Sequence, residues 1–179
     1  MDLSSTYILV GSTLGLIGAL LFLFGMRAAP LLNAFPRSHT AGILLWTAAL
    51  VWFFYHLATM SEVDLAGFPR WSFFALFGGA GILAFKFLSD LLPLRAIAVL
   101  TLFVCNELLK IGFGHTPYSC VLAGTAYLLI VAALWGGAAP YVIRNAIAFT
   151  TQNAARSRIV GGIIFLLGLT NITASFFVK

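Results

Sequence analysis

Charge is what this sequence has least of. Asp, Glu, Lys and Arg make up 8% of its 179 residues, and five of those residues are acidic. A water-soluble domain carries about 25% charged residues. So little charge cannot hydrate the surface of a soluble globule of this size, which excludes a disordered chain, a nucleic-acid-binding domain and an ordinary cytosolic enzyme. Cysteine is scarce too. Cys105 and Cys120 both fall in apolar segments, so one pair in this setting gives no disulfide framework, and buried thiols packing as small hydrophobes are expected. Catalytic signatures are missing: there is no glycine-rich phosphate loop, nucleophile elbow, metalloprotease motif or paired-cysteine spacing. No catalytic residue, metal or cofactor is therefore implied, and an enzyme is not expected.

Apolar residues fill the space that charge leaves, at 61% of the chain, with 17 Phe among them. A helix needs about 20 apolar residues to cross roughly 30 Å of hydrocarbon. Six continuous apolar runs of about that length can be marked off, at 7–26, 41–60, 71–88, 94–113, 118–139 and 159–178. Barrel strands would alternate apolar and polar residues instead, and a helix satisfies its own backbone in lipid. The expected fold is an all-α, polytopic transmembrane bundle of six spans forming one domain over 1–179. No positive region precedes the first run, so it reads as a retained span and not a signal peptide. Pro30 closes that run, Pro93 and Pro140 mark later breaks, and two Phe-Pro-Arg tripeptides, Phe35–Arg37 and Phe68–Arg70, precede apolar runs. Proline suits a first helical turn, and the aromatic and arginine suit an interface.

Lys and Arg decide the orientation. The first, third and fifth connections hold Arg27, Arg37, Lys86, Arg95, Arg144, Arg156 and Arg158, against Arg70, Lys110 and Lys179 on the other side. That bias puts the odd connections in the cytoplasm and both termini on the non-cytoplasmic side of an inner (plasma) membrane. The amphipathic stretch 141–158 is expected to lie along the cytoplasmic interface or to extend the fifth span. Arg144, Arg156 and Arg158 would sit there among anionic headgroups, worth about 1 kcal/mol each.

Ionisable groups within spans are costly and mark candidate sites. Asn106, Glu107 and Lys110 form one on the fourth run, with Glu107 and Lys110 spaced i, i+3 to pair. His56 and His115 fall toward one face and are weak candidates as haem or metal ligands. Lys86, Asp90 and Arg95 read as a cytoplasmic charge clamp at the third connection. Trp46, Trp52, Phe53, Phe54 and Tyr55 crowd the second run, where a quinone or lipid pocket is conceivable. Glycines at 11, 15 and 18, at 78, 79 and 81, and at 161 and 168 give small-residue seams for helix packing. The expected role is a structural or accessory component of a membrane assembly, with lipids and another subunit or a second copy as partners and no nucleic acid. The alternatives are a small-solute or ion transporter using Glu107, and a haem- or quinone-binding protein using His56 and His115.

Overall fold

The computed structural model describes residues 2–65, 67–87, 91–115, 117 and 119–178. Among them the chain forms seven α-helices and no strand: α1 (Leu3–Ala34), α2 (His39–Thr59), α3 (Arg70–Phe87), α4 (Leu92–Gly112), α5 (Cys120–Ala138), α6 (Pro140–Thr150) and α7 (Ala154–Ser175). Five of these (α1, α2, α4, α5 and α7) are long and apolar enough to cross a bilayer. The remaining apolar run, the third, is α3, whose 18 residues span about 27 Å, with Arg70 and Lys86 near its two ends. The outward surface carries large apolar side chains throughout, among them Leu23, Leu44, Val51, Ile82, Leu134 and Ile163, each more than half exposed. No soluble protein displays so much apolar surface, and the fold is a helical bundle suited to lipid.

Two boundaries differ from the sequence expectation. Helix α1 does not stop at Pro30 but runs through it to Ala34, 32 residues in all. That is about 48 Å, well beyond the hydrocarbon thickness. Pro30 removes one helical hydrogen bond in a part of the helix where Asn33 Nδ2 supplies another, to the Ala29 carbonyl at 2.9 Å. The amphipathic stretch 141–158 is two pieces. Helix α6 ends at Thr150, Asn153 caps the next helix by accepting the Arg156 amide at 2.8 Å, and Arg156 and Arg158 belong to α7. An Asn at that position satisfies one of the orphaned first-turn N–H groups, so the chain restarts a helix there.

Helices α1 and α7 make the tightest pair, and they run antiparallel. Gly11 faces Gly168, Gly18 faces Gly161, and Gly25 faces Ser157. A Cβ added at Gly161 would stand 2.6 Å from the Phe22 amide nitrogen and 2.8 Å from the Gly18 carbonyl oxygen. Glycine alone permits this backbone contact, the means by which helices associate without a hydrophobic drive. The glycine seams on the first and last runs thus close on each other within one chain. Ser157 Oγ continues the seam, donating to the Leu21 carbonyl at 2.8 Å. Because the pair is antiparallel, Leu3 and Ser175 lie at the same end of the bundle.

That end also holds the buried core formed by Leu3, Tyr7, Val10, Cys105, Leu108, Leu122 and Ala126 from α1, α4 and α5. The Tyr7 hydroxyl accepts the Leu122 amide at 3.0 Å. Leu122 lies in the first turn of α5, where N–H groups have no helical partner, so a tyrosine on α1 caps a neighbouring helix. Fully buried Asn171 ties α7 to α5 by donating to Thr125 Oγ1 at 2.9 Å. Of the two thiols, Cys105 is buried as expected, but Cys120, on the first turn of α5, is exposed.

Candidate functional site

Helix α2 lies beside α4 in the same direction: Gly42 is near Leu92 and Pro93, and the Trp52 ring lies tilted against Phe103, with ring centroids 5.6 Å apart. Helix α3 packs back along α2, with Phe54 near Gly78 and Phe74, and Trp46 Nε1 donating to the Gly81 carbonyl at 3.1 Å. The parallel course of α2 and α4 brings two separately identified residues to one depth. His56 Nε2 is 3.6 Å from Glu107 Oε1. Lys110 Nζ donates to the same oxygen at 2.9 Å, and Asn106 Nδ2 reaches it at 3.3 Å. Trp52, one turn before His56, donates its indole N–H to His56 Nε2 at 2.9 Å.

While Nε2 accepts from Trp52 it carries a lone pair and no hydrogen, so it has nothing to donate to Glu107. The Glu107 side chain is 41% exposed and that of His56 28%, so the pair is not sealed in the core, and His56 opens onto a cavity.

The cavity is a cleft of about 930 Å³ between α2, α3 and α4. His56, Asn106 and Lys110 line its mouth together with Ser61 and Asp64 of the α2–α3 connection. That connection is folded down over the mouth. Leu65 is 4% exposed, whereas Val63 in the same connection is 88% exposed. Ser61 Oγ donates to Asp64 Oδ2 at 2.6 Å, and an Arg70 guanidinium nitrogen donates to the Met60 carbonyl at 2.7 Å. Phe53, Phe77 and Phe103 line both this cleft and a smaller apolar cavity of about 210 Å³ that also touches Trp46, Ala80 and Gly81. Trp46 is ten residues from His56 along α2, about 15 Å, so the two cavities follow one another along that helix.

The other sequence candidates lie elsewhere. His115 Nδ1 is 3.2 Å from the Phe113 carbonyl oxygen in its own turn. Among the described residues, no group of three or more His, Cys, Asp or Glu is placed to hold a metal ion. The clamp assigned to Lys86, Asp90 and Arg95 turns on Asp90, which lies outside the described residues. The Lys86 ammonium is 5.9 Å from the Phe87 ring centroid. Arg144 bonds its neighbour Asn145, and Arg156 bonds Gln152 with its guanidinium 4.2 Å from the Phe149 ring centroid. The sequence reading missed the His56–Glu107 contact. Its signal was available, since alternate spans run the same way and both residues lie near the C-terminal ends of their helices. No known protein family, curated protein or solved structure matches the chain.

Proposed function

We propose that this chain is a six-pass integral membrane protein that binds a small molecule in the cleft between α2, α3 and α4, with the Glu107–His56–Lys110 cluster as its polar recognition point. The observation that carries this reading is that His56, Asn106 and Lys110, each in contact with Glu107, line a cavity whose apolar walls are rich in phenylalanine. Ligand sites are concave, mostly apolar and furnished with a few convergent polar groups, and an ionisable cluster at membrane depth is a functional-site hypothesis in its own right.

Six passes follow from α3 counted with the five longer helices. Chain ends at one end of the bundle call for an even number of crossings. The seven basic residues from Arg27 to Arg158 on the connections at the opposite end argue for that end being cytoplasmic, in an inner (plasma) membrane. An accessory role in a larger assembly is the competing reading, but the exposed apolar faces are what lipid covers and they single out no partner surface.

Native mass spectrometry of protein released from mild detergent tests the binding role. The wild type is expected to carry a lipid-soluble adduct at near-unit stoichiometry that Glu107→Gln loses. A wild-type spectrum without an adduct, together with no thermal stabilisation by any lipid-soluble compound in a screen, would overturn it.

A further inference from the structure

The two ends of the bundle treat their cations differently. At the end bearing the termini, Lys110 donates to Glu107 at 2.9 Å and Arg70 to the Met60 carbonyl at 2.7 Å. Every described acidic residue lies toward that end, namely Asp2, Glu62, Asp64 and Glu107. The opposite end gathers the seven basic residues from Arg27 to Arg158, and no described acid accompanies them. Asp90, between α3 and α4 in sequence, is outside the described residues. We infer that this end is a docking surface for the headgroups of anionic phospholipids, on observations independent of the cleft.

Folding collects these residues into one surface. The short turn Phe35–Arg37 before α2 packs against α1 and α4, with Pro36 buried and Arg37 exposed. Asn33 Nδ2, near the end of α1, donates to Thr151 Oγ1 at 3.0 Å and ties α1 to the α6–α7 junction. Helix α6 touches α1, α4, α5 and α7, and Ile143 seats its inner side on Gly136 of α5. Arg144, Tyr141 and Phe149 are exposed on it. An amphipathic helix with basic and aromatic residues turned outward belongs in a headgroup layer.

The chain does not spend these charges internally. Arg27, Arg37 and Arg158 are exposed and bond to no acceptor among the described residues. Arg144 reaches only the neutral amide oxygen of Asn145. Arg95 Nε is buried and has no acceptor, and a charged donor left in that state costs more than a neutral one. Arg156 differs: Gln152 and the Phe149 ring hold it, and it fixes the corner between α6 and α7.

Charge complementarity names the partner. Cations gathered without counter-ions repel one another, and at this depth a bilayer supplies phosphate. Arginine binds phosphate through paired N–H donors. A zwitterionic headgroup brings its own cation, so only a headgroup of net negative charge offsets the excess. A soluble phosphate would leave the Tyr141 and Phe149 rings in water, whereas a lipid sets glycerol and acyl carbons against them.

The test uses the full chain in nanodiscs of phosphatidylcholine mixed with either brominated phosphatidylglycerol or brominated phosphatidylcholine. Trp135 is exposed on the last turn of α5, beside α6, and Trp71 is exposed on the first turn of α3 at the other end. The difference between the wild type and Trp135→Phe, or Trp71→Phe, isolates the quenching of each ring. Brominated phosphatidylglycerol is expected to quench Trp135 with about fivefold preference over brominated phosphatidylcholine, the ratio that one basic contact at an anionic surface gives. No preference is expected at Trp71. Joint replacement Arg37→Gln, Arg144→Gln and Arg158→Gln is expected to bring the Trp135 preference close to unity, and millimolar inorganic phosphate at fixed ionic strength is expected to leave it unchanged. Equal quenching by the two lipids at Trp135, an equal preference at both tryptophans, or a preference that survives loss of the three arginines would overturn the assignment. A preference abolished by inorganic phosphate would overturn the lipid as occupant. The comparison of the two lipids on the unaltered arginines decides the matter even where the triple replacement fails to fold.

Discussion

At the scale of single residues, the molecule is held by groups that would be unremarkable in water. Tyr7 is the clearest case. Its hydroxyl meets the Leu122 amide, a donor that α5 itself cannot satisfy and that no water reaches in a buried core. Tyr7→Phe keeps the ring and removes the acceptor, so it should cost about 1–3 kcal/mol, the range for an unpaired buried polar group. Reversible unfolding in mixed micelles would measure it, and an unchanged midpoint would mean that another acceptor takes over. Gly161 works by what it lacks. Gly161→Ala drives a Cβ into the Phe22 and Gly18 backbone, where no side chain can swing aside, and should destabilise by about 1–3 kcal/mol or more. Gly162→Ala, one residue on with open space around it, should be near neutral, and equal losses at the two positions would refute the seam. The sequence showed these glycines as a small-residue stripe on each helix. Which stripe meets which was not legible, because spacing on one helix says nothing of its partner. Tyr7 went unnoticed for the same reason: its acceptor role exists only once α5 is beside α1.

The helices differ in how firmly they are held. Helices α1 and α7 share backbone contact, and α4 and α5 pack along their length, with Gly112 against Ser119 and Gly137 against Ala98. Helix α3 leans on α2 through phenylalanine rings and one indole hydrogen bond. Segments with few buried contacts open first, so amide exchange in nanodiscs should reach α3 well before α1 and α7. Slower exchange in α3 than in α7 would refute this ranking. The looseness suits a cleft whose third wall is α3, because ligand entry needs one wall to give. Helix existence and type were readable from apolar run length, since lipid imposes that length on every span. The ends were less readable. Pro30 looked like a stop, yet a proline inside a helix removes one hydrogen bond without necessarily ending it, and α1 continues past it to Ala34. The break at Asn153 is the converse: a cap inside a stretch whose amphipathic pattern runs on unchanged.

For the whole molecule, the antiparallel closure of the first helix on the last is the controlling fact. It puts the α5 start, the α2 end and both chain ends at one end of the bundle, and α6 with its arginines at the other. The charge bias in the sequence pointed the same way, through interfacial electrostatics alone. The cleft between α2, α3 and α4 was legible only as two unlinked candidates, Glu107 and His56, because their meeting depends on the parallel placement of two spans that are not consecutive. Cys120 gives a native probe of this arrangement. It is exposed at the end bearing the termini, whereas Cys105 is buried. In intact cells or right-side-out vesicles, a membrane-impermeant maleimide should label Cys120 without permeabilisation. Gln152→Cys, at the exposed junction between α6 and α7, should label only after permeabilisation in a Cys120→Ser background. Labelling of both from outside would break the six-pass topology. The reverse pattern would keep the bundle and invert it, moving the mouth of the cleft to the cytoplasm and its ligand supply with it.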